Sequence, residues 1–260
     1  MAEPAAQLPA VQHLVVRYAK RGKMRFASHR DVARVFERAV RRAGLPIAYS
    51  AGFSPHPRLS YAGGVPTGVA SEAEYLALAL NSRLAAEQVR ERLNATLPDG
   101  IDVIDVTDVT PRPQEGQGSP RGQAPLEFEA SQWQVVLPGV EPVAAERAVA
   151  DFLALSEAPV ERLTDKGVRR MDARAAVVTL DVLGSADLHG DLRAAVTGIQ
   201  VCAILRMVVR HTAPAVRSDD VLTALRERYG LVPSMPPVTT RLAQGSLALL
   251  AGETVLWALL

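Results

Sequence analysis

A single cysteine, Cys202, in 260 residues sets the first exclusions. No disulfide can form within the chain, and one thiolate assembles neither a Cys-ligated iron–sulfur cluster nor a structural zinc site. The five histidines do not fall at metal-ligand spacing, so no cofactor is expected. Long apolar runs are missing too. The two longest, Ile199–Val209 and Leu247–Leu260, are interrupted by Arg206 and Glu253, and both are shorter than the ~20 residues of a membrane-spanning helix. The opening MAEPAAQLPA lacks a basic segment followed by an apolar one and does not read as a signal peptide. A cytoplasmic location without membrane contact is expected by elimination. No Walker loop, dinucleotide fingerprint or Gly-x-Ser-x-Gly elbow is present. Lysine is scarce, three against 26 arginines, which reads as codon bias and by itself says nothing about binding. A net charge of +1 excludes a uniformly basic nucleic-acid coat.

What is present is apolar periodicity. The first ten residues are Ala/Pro-rich and expected to be disordered. Gln12–Ala19 alternates as a strand. Ser28 opens a helix, with Asp31 three residues on as a short capping box. Val32, Val35, Phe36, Ala39, Val40 and Ala43 then recur as one apolar stripe at helical spacing. Gly44 ends this helix and Pro46 prevents its resumption. Leu45–Ser50 reads as a second strand, Ala51–Val69 as a long Gly/Pro-rich loop, and Glu74–Leu80 as a third strand. A helix capped by Ser82 runs to Ala95, and Ile101–Val109 alternates again. This β-α-β-β-α-β order is ferredoxin-like. Pro111–Pro125 has no periodicity and reads as a linker. Beyond it, Gln132–Leu137, Val160–Leu163, Ala175–Leu183 and Ile199–Val209 read as strands, and Glu141–Leu155 and Ser218–Tyr229 as helices. The expected class is α+β: disordered residues 1–10, a ferredoxin-like module over 11–110 and a linker over 111–126. A second, smaller α+β module over 127–230 follows, then a tail over 231–260, strand-like around a turn at Gly252, that the pattern does not place.

Charge is concentrated in the first third. Between Arg17 and Arg58 stand eleven basic residues: Arg17, Lys20, Arg21, Lys23, Arg25, Arg30, Arg34, Arg38, Arg41, Arg42 and Arg58. Only Asp31 and Glu37 oppose them, so the segment carries nine excess positive charges (eleven minus two) and the rest of the chain eight negative (one minus nine). Arg30, Arg34, Arg38, Arg41 and Arg42 recur at helical spacing away from the apolar stripe. Guanidinium groups present a planar fork that matches phosphate, and such a row could track a nucleic-acid backbone with strong salt dependence. The plainer alternative is a solvated helix face in an Arg-biased chain.

The loop Tyr49–Arg58 is the second candidate. Gly52 permits an unusual turn, while Pro55 and Pro57 stiffen the path around His56. Phe53 and Tyr49 offer flat surfaces for a base; His56, Arg58, Ser50 and Ser54 offer polar contacts. Alternatively Phe53 plugs the core and His56 caps a strand end. His29 and His56 titrate near neutrality and are weak candidates for acid–base cleavage of RNA. Ser71–Glu74 is expected to cap the third strand rather than to pair with arginines, and Asp172 to sit in a turn.

The runs Gly22–Asp31, Phe36–Ser50, Gly52–Ser60 and Gly68–Tyr75 together resemble the radical-SAM-associated family of uncharacterised proteins, over residues 13–110 and more weakly around Asp172. The resemblance marks His29, Asp31, Arg38, Arg42, Gly52, Phe53, Pro55, His56, Pro57, Ser60, Gly68, Glu72 and Glu74 without giving them a role. It implies a radical-SAM protein as partner, fused or encoded nearby, and a setting in RNA modification or ribosome-related processing. Lacking the three-cysteine cluster motif, this chain is not itself the radical enzyme. An accessory protein that binds RNA or another polyanion, without catalysis of its own, is the leading expectation. An RNA-processing enzyme using His56 or His29, and a pure protein-interaction scaffold, are the alternatives.

Overall fold

The computed structural model describes residues 8–110 apart from 51, 52 and 54, and residues 128–251 apart from 165 and 166. The expectations for residues 1–7, for the linker, for Gly52 and Ser54, and for a turn at Gly252 lie outside the described residues. The chain divides into two compact units, residues 1–126 and 127–259.

In the first unit, β1 (Gln12–Lys20) leads through a 3-10 turn (Gly22–Phe26) to α1 (His29–Arg42). Then come β2 (Leu59–Ala62), β3 (Ala70–Leu80), α2 (Ala86–Asn94) and β4 (Ile101–Asp108). The strands lie in the order β4-β1-β3-β2 with antiparallel neighbours, which is the ferredoxin-like arrangement. Even-numbered residues of β1 and β3 point to one face, as period-2 geometry requires. There Leu14, Val16, Tyr18, Leu76, Leu78 and Leu80 meet Val32, Phe36, Ala39 and Val40 of α1. Phe36 is fully buried, its ring edge-on to Tyr18 at 4.7 Å between centroids. The capping box is present: Ser28 Oγ accepts from the Asp31 N–H, and Asp31 Oδ2 accepts from the Ser28 N–H at 3.2 Å. Gly44 ends the helix in the left-handed region, φ 60°, and its N–H bonds the Arg41 carbonyl.

Three local expectations are corrected. Leu45–Ser50 is not a strand; its backbone bonds to neighbouring segments form no continuous ladder, only the isolated bridges Ile47–Leu80 and Tyr49–Pro57. The second strand lies instead at Leu59–Ala62, inside the expected loop, where Leu59 and Tyr61 supply the inward apolar positions. β3 begins four residues early, at Ala70, because its polar residues Ser71, Glu72 and Glu74 are buried rather than turned to solvent. Finally, α2 starts at Ala86, not at Ser82. The Gln12 side chain donates to the Leu84 carbonyl and accepts from the Leu84 N–H, both at 2.9 Å, which holds that residue in extended geometry.

The second unit comprises β5 (Ala130–Pro138), α3 (Pro142–Leu153), β6 (Pro159–Thr164), β7 (Gly167–Asp172), α4 (Ala173–Ala176) and β8 (Val177–Leu183). α5 (Gly190–Ala195), β9 (Cys202–Arg210), α6 (Ser218–Tyr229), β10 (Val238–Gly245) and α7 (Leu247–Ala251) complete it. Its strands run β10-β5-β9-β8, again with antiparallel neighbours, while β6 and β7 form a separate hairpin. With that hairpin and the short helices α4, α5 and α7 set aside, the order along the chain is β-α-β-β-α-β and the order in the sheet is fourth-first-third-second. The second unit therefore repeats the topology of the first. Val238–Gly245, in the stretch that periodicity could not place, is its fourth strand. Asp172 caps α4, its Oδ1 accepting from the N–H groups of Ala158, Arg174 and Ala175.

Candidate nucleic-acid interface

At about 100° per residue, Arg30, Arg41, Arg34, Arg38 and Arg42 fan over roughly 120° of α1, opposite the buried stripe. All five are exposed. Arg34 lies 3.7 Å from Asp31, and Arg41 Nε donates to the Glu37 carbonyl at 3.0 Å. Arg30, Arg38 and Arg42 have no carboxylate partner among the described residues. Sequence order produces this row because the core takes only Val32, Phe36, Ala39 and Val40, leaving every arginine on the wet side. Asp31 adds the helix's one exposed first-turn acid, and hydrogen bonds from Ser28 hold its carboxyl below the usual range.

Arg21 and Lys20 do not join the row. Arg21 forks onto Glu72, Nε to Oε1 at 2.7 Å and Nη2 to Oε2, and its Nη1 donates to Asp102 at 3.0 Å. Lys20 is 2% exposed and donates to the Ala27 carbonyl. Pairing with an arginine, rather than capping a strand, is thus the role of Glu72. Glu74 accepts from the Val65 N–H in a buried contact. The nine-charge excess counted along the sequence is therefore smaller at the surface, and what is left exposed is concentrated on α1.

The loop that follows α1 has a closed neck. Tyr49 bridges Pro57, the Ser50 N–H donates to the His56 carbonyl at 2.9 Å, and the His56 N–H donates to Ser50 Oγ at 3.0 Å. Beyond the neck Phe53 is 92% exposed and Tyr49 is 40% exposed, so Phe53 does not plug the core. His56 is exposed. Arg58 is turned elsewhere. It alternates with the inward Leu59, and its charge acts on His13, which alternates with the inward Leu14, so it lies on the sheet face opposite α1. Burial and Arg58 together hold the His13 pKa below its usual value. The two histidines are not brought together. The His29 ring lies over Gly64, in the space a Cβ there would take, at the N-terminal end of α1. His56 belongs to the neck near the Leu80 end of β3, beyond the C-terminal end of a helix about 20 Å long. The His29–Gly64 contact was invisible in the sequence, where only the adjacency of Gly63 and Gly64 hinted at a tight approach.

Among the described residues no group of three or more His, Cys, Asp or Glu side chains is placed to hold a metal ion, and no helix is long and apolar enough to cross a membrane.

The family model described as an uncharacterized protein conserved in bacteria (DUF2344) matches residues 13–218, from β1 to the start of α6, and the chain belongs to that family. No curated protein matches it.

Proposed function

We propose that this protein is an accessory factor, without catalysis of its own, that grips RNA through the arginine face of α1 and the adjoining closed loop. The observation that carries the reading is the row of five exposed guanidinium groups of which only Arg34 has a carboxylate neighbour among the described residues. Arginines destined only for solvation are commonly interleaved with acids at i±3 or i±4; here Arg30, Arg38 and Arg42 are left for an external anion. A backbone grip of this kind carries affinity rather than sequence choice. The partner to which RNA would be presented, a radical-SAM protein acting in RNA modification or ribosome-related processing, is proposed from the resemblance of residues 13–110 alone.

Separation of His29 from His56 by the length of α1 weighs against an acid–base pair. Retention of total RNA on filters as salt is raised tests the main reading. With five phosphate contacts on a single strand, log K should fall with log salt at a slope of about −3.5, roughly a hundredfold between 50 and 200 mM. Arg38→Ala should flatten that slope by about 0.7. No retention at low salt, or a slope untouched by Arg38→Ala and Arg42→Ala, would overturn the proposal.

A further inference from the structure

We infer that the RNA held along α1 is single-stranded and ends in an unpaired base stacked on Phe53. This rests on the polyanion reading above and adds a substrate class to it.

Three features converge. Phe53 is 92% exposed, the most exposed of the large hydrophobic side chains described. It is nonetheless borne on a pinned neck, where Ser50 and His56 bond each other twice and Tyr49 bridges Pro57. An aromatic ring exposed to this degree offers a π-face for stacking, and Tyr49, 40% exposed at the neck, offers another. Stacked bases in a duplex hide their faces, whereas loops, bulges and single strands expose them, and aromatic side chains are the usual platform for them. The position of the ring fits as well. Only six residues separate Arg42 from Tyr49, so the platform lies at the C-terminal end of the arginine row. From Arg30 to Arg42 α1 rises about 18 Å, which at the duplex spacing of about 3.4 Å per phosphate along one strand sets an upper bound of roughly five nucleotides, fewer for an extended single strand. The backbone can follow the row and deliver a base to Phe53. Because Arg58 faces the other side of the sheet, the grip on phosphate at this site falls to α1.

The test is fluorescence anisotropy on the full chain with a labelled, unstructured RNA of about twenty nucleotides, alone and annealed to its complement, long enough to cover one such site. The single strand should bind at least tenfold more tightly than the duplex. Phe53→Ala should weaken single-strand binding by about five- to hundredfold, leave duplex binding unchanged, and do so by the same factor at every salt concentration. Phe53→Trp should retain binding, and Phe53→Leu should not. Arg38→Ala should weaken both forms, with a factor that shrinks as salt rises. Equal affinity for both forms, with Phe53→Ala harmless and Arg38→Ala weakening each, overturns the stacking inference and leaves the polyanion reading standing. Phe53→Leu behaving as wild type also overturns it, in favour of a merely apolar contact such as a protein partner would make. Failure of either RNA to bind overturns both.

Discussion

Removing the carboxylate of Glu72 tests whether the charge pairing in the first unit is structural. The Glu72 side chain is 5% exposed and meets Arg21, 33% exposed, through two parallel bonds, while Asp102, 52% exposed, takes a third from the same guanidinium. Loss of one partner of a buried pair costs about 3–5 kcal/mol when the survivor stays buried. Arg21 does not stay buried: a third of it is in water, and it keeps Asp102. The cost should therefore fall to about 2 kcal/mol for Glu72→Gln, whereas Asp102→Asn, at an exposed site, should cost about 0.5 kcal/mol. With a urea dependence of about 2 kcal/mol per molar, the midpoint for Glu72→Gln drops by about 1 M. The choice of signal matters, because both tryptophans, Trp133 and Trp257, lie in the second half of the chain. The near-UV signal of tyrosines, four of which (Tyr18, Tyr49, Tyr61 and Tyr75) lie in the first unit, reports the relevant transition. Asp102→Asn should cost more in the Glu72→Gln background than alone, since Arg21 then depends on it. A midpoint shift under about 0.25 M for Glu72→Gln would refute this account, and with it the claim that Arg21 is withdrawn from the cationic surface.

Two further perturbations probe other contacts. The His211 Nδ1–H donates to the Phe128 carbonyl, so Nε2 accepts from the Ser131 hydroxyl, both at 2.7 Å. Desolvation of the ring, aided by the Arg241 charge, lowers the His211 pKa below 6.5 against the opposing pull of the Phe128 carbonyl. The unfolded chain then takes up the proton first, so this contribution is full above pH 6.5 and is lost as pH falls below it toward the folded value. His211→Gln should flatten that part of the pH dependence of the urea midpoint, leaving the part due to His13, whose pKa is lowered in the same direction. An identical slope in variant and wild type would refute it. Gly64→Ala places a Cβ in the His29 ring; because that ring can rotate into solvent, the cost should stay within about 1 kcal/mol. The His29 ring signals should shift in NMR, and adding His29→Ala should remove the cost. A double variant as destabilised as Gly64→Ala alone would show that backbone, not His29, is the obstacle.

α1 was the most legible element because three signals agree there: one apolar stripe, a capping box and a terminal glycine. The geometry of the Tyr49–Arg58 loop was half legible. Gly and Pro marked it as a stiffened excursion, but the Ser50–His56 neck that pins it depends on backbone bonds that no residue pattern announces. β2 was missed because four residues carry too little alternation, and because Ile47 and Tyr49 imitate a strand while pairing only singly. The same alternation could have placed Arg58: with Leu59 and Tyr61 inward, it must face away from α1. Glu72 was misassigned for a different reason. Its partner Arg21 lies 51 residues away, beyond any local spacing rule.

β10 escaped notice because Thr239, Thr240, Arg241 and Gln244 are buried polar residues, so the strand carries no apolar signature. Once it is in place, the second unit becomes an internal control for the first. Both have a ferredoxin-like order, and both elaborate the connection from the first helix to the second strand, one with the Phe53 loop and the other with the β6–β7 hairpin. The outward face of α3 corresponds to that of α1 but carries Glu146, Arg147 and Asp151, one cation against two anions. An arginine-biased composition acting alone should decorate the solvent faces of both helices alike, since neither faces a packing constraint there. It does not: five arginines and one exposed acid stand on α1, and the balance on α3 is reversed. The difference is therefore not a by-product of composition. The proposed polyanion grip would account for it, since the excess of arginine falls on the helix that also leads into the Phe53 loop.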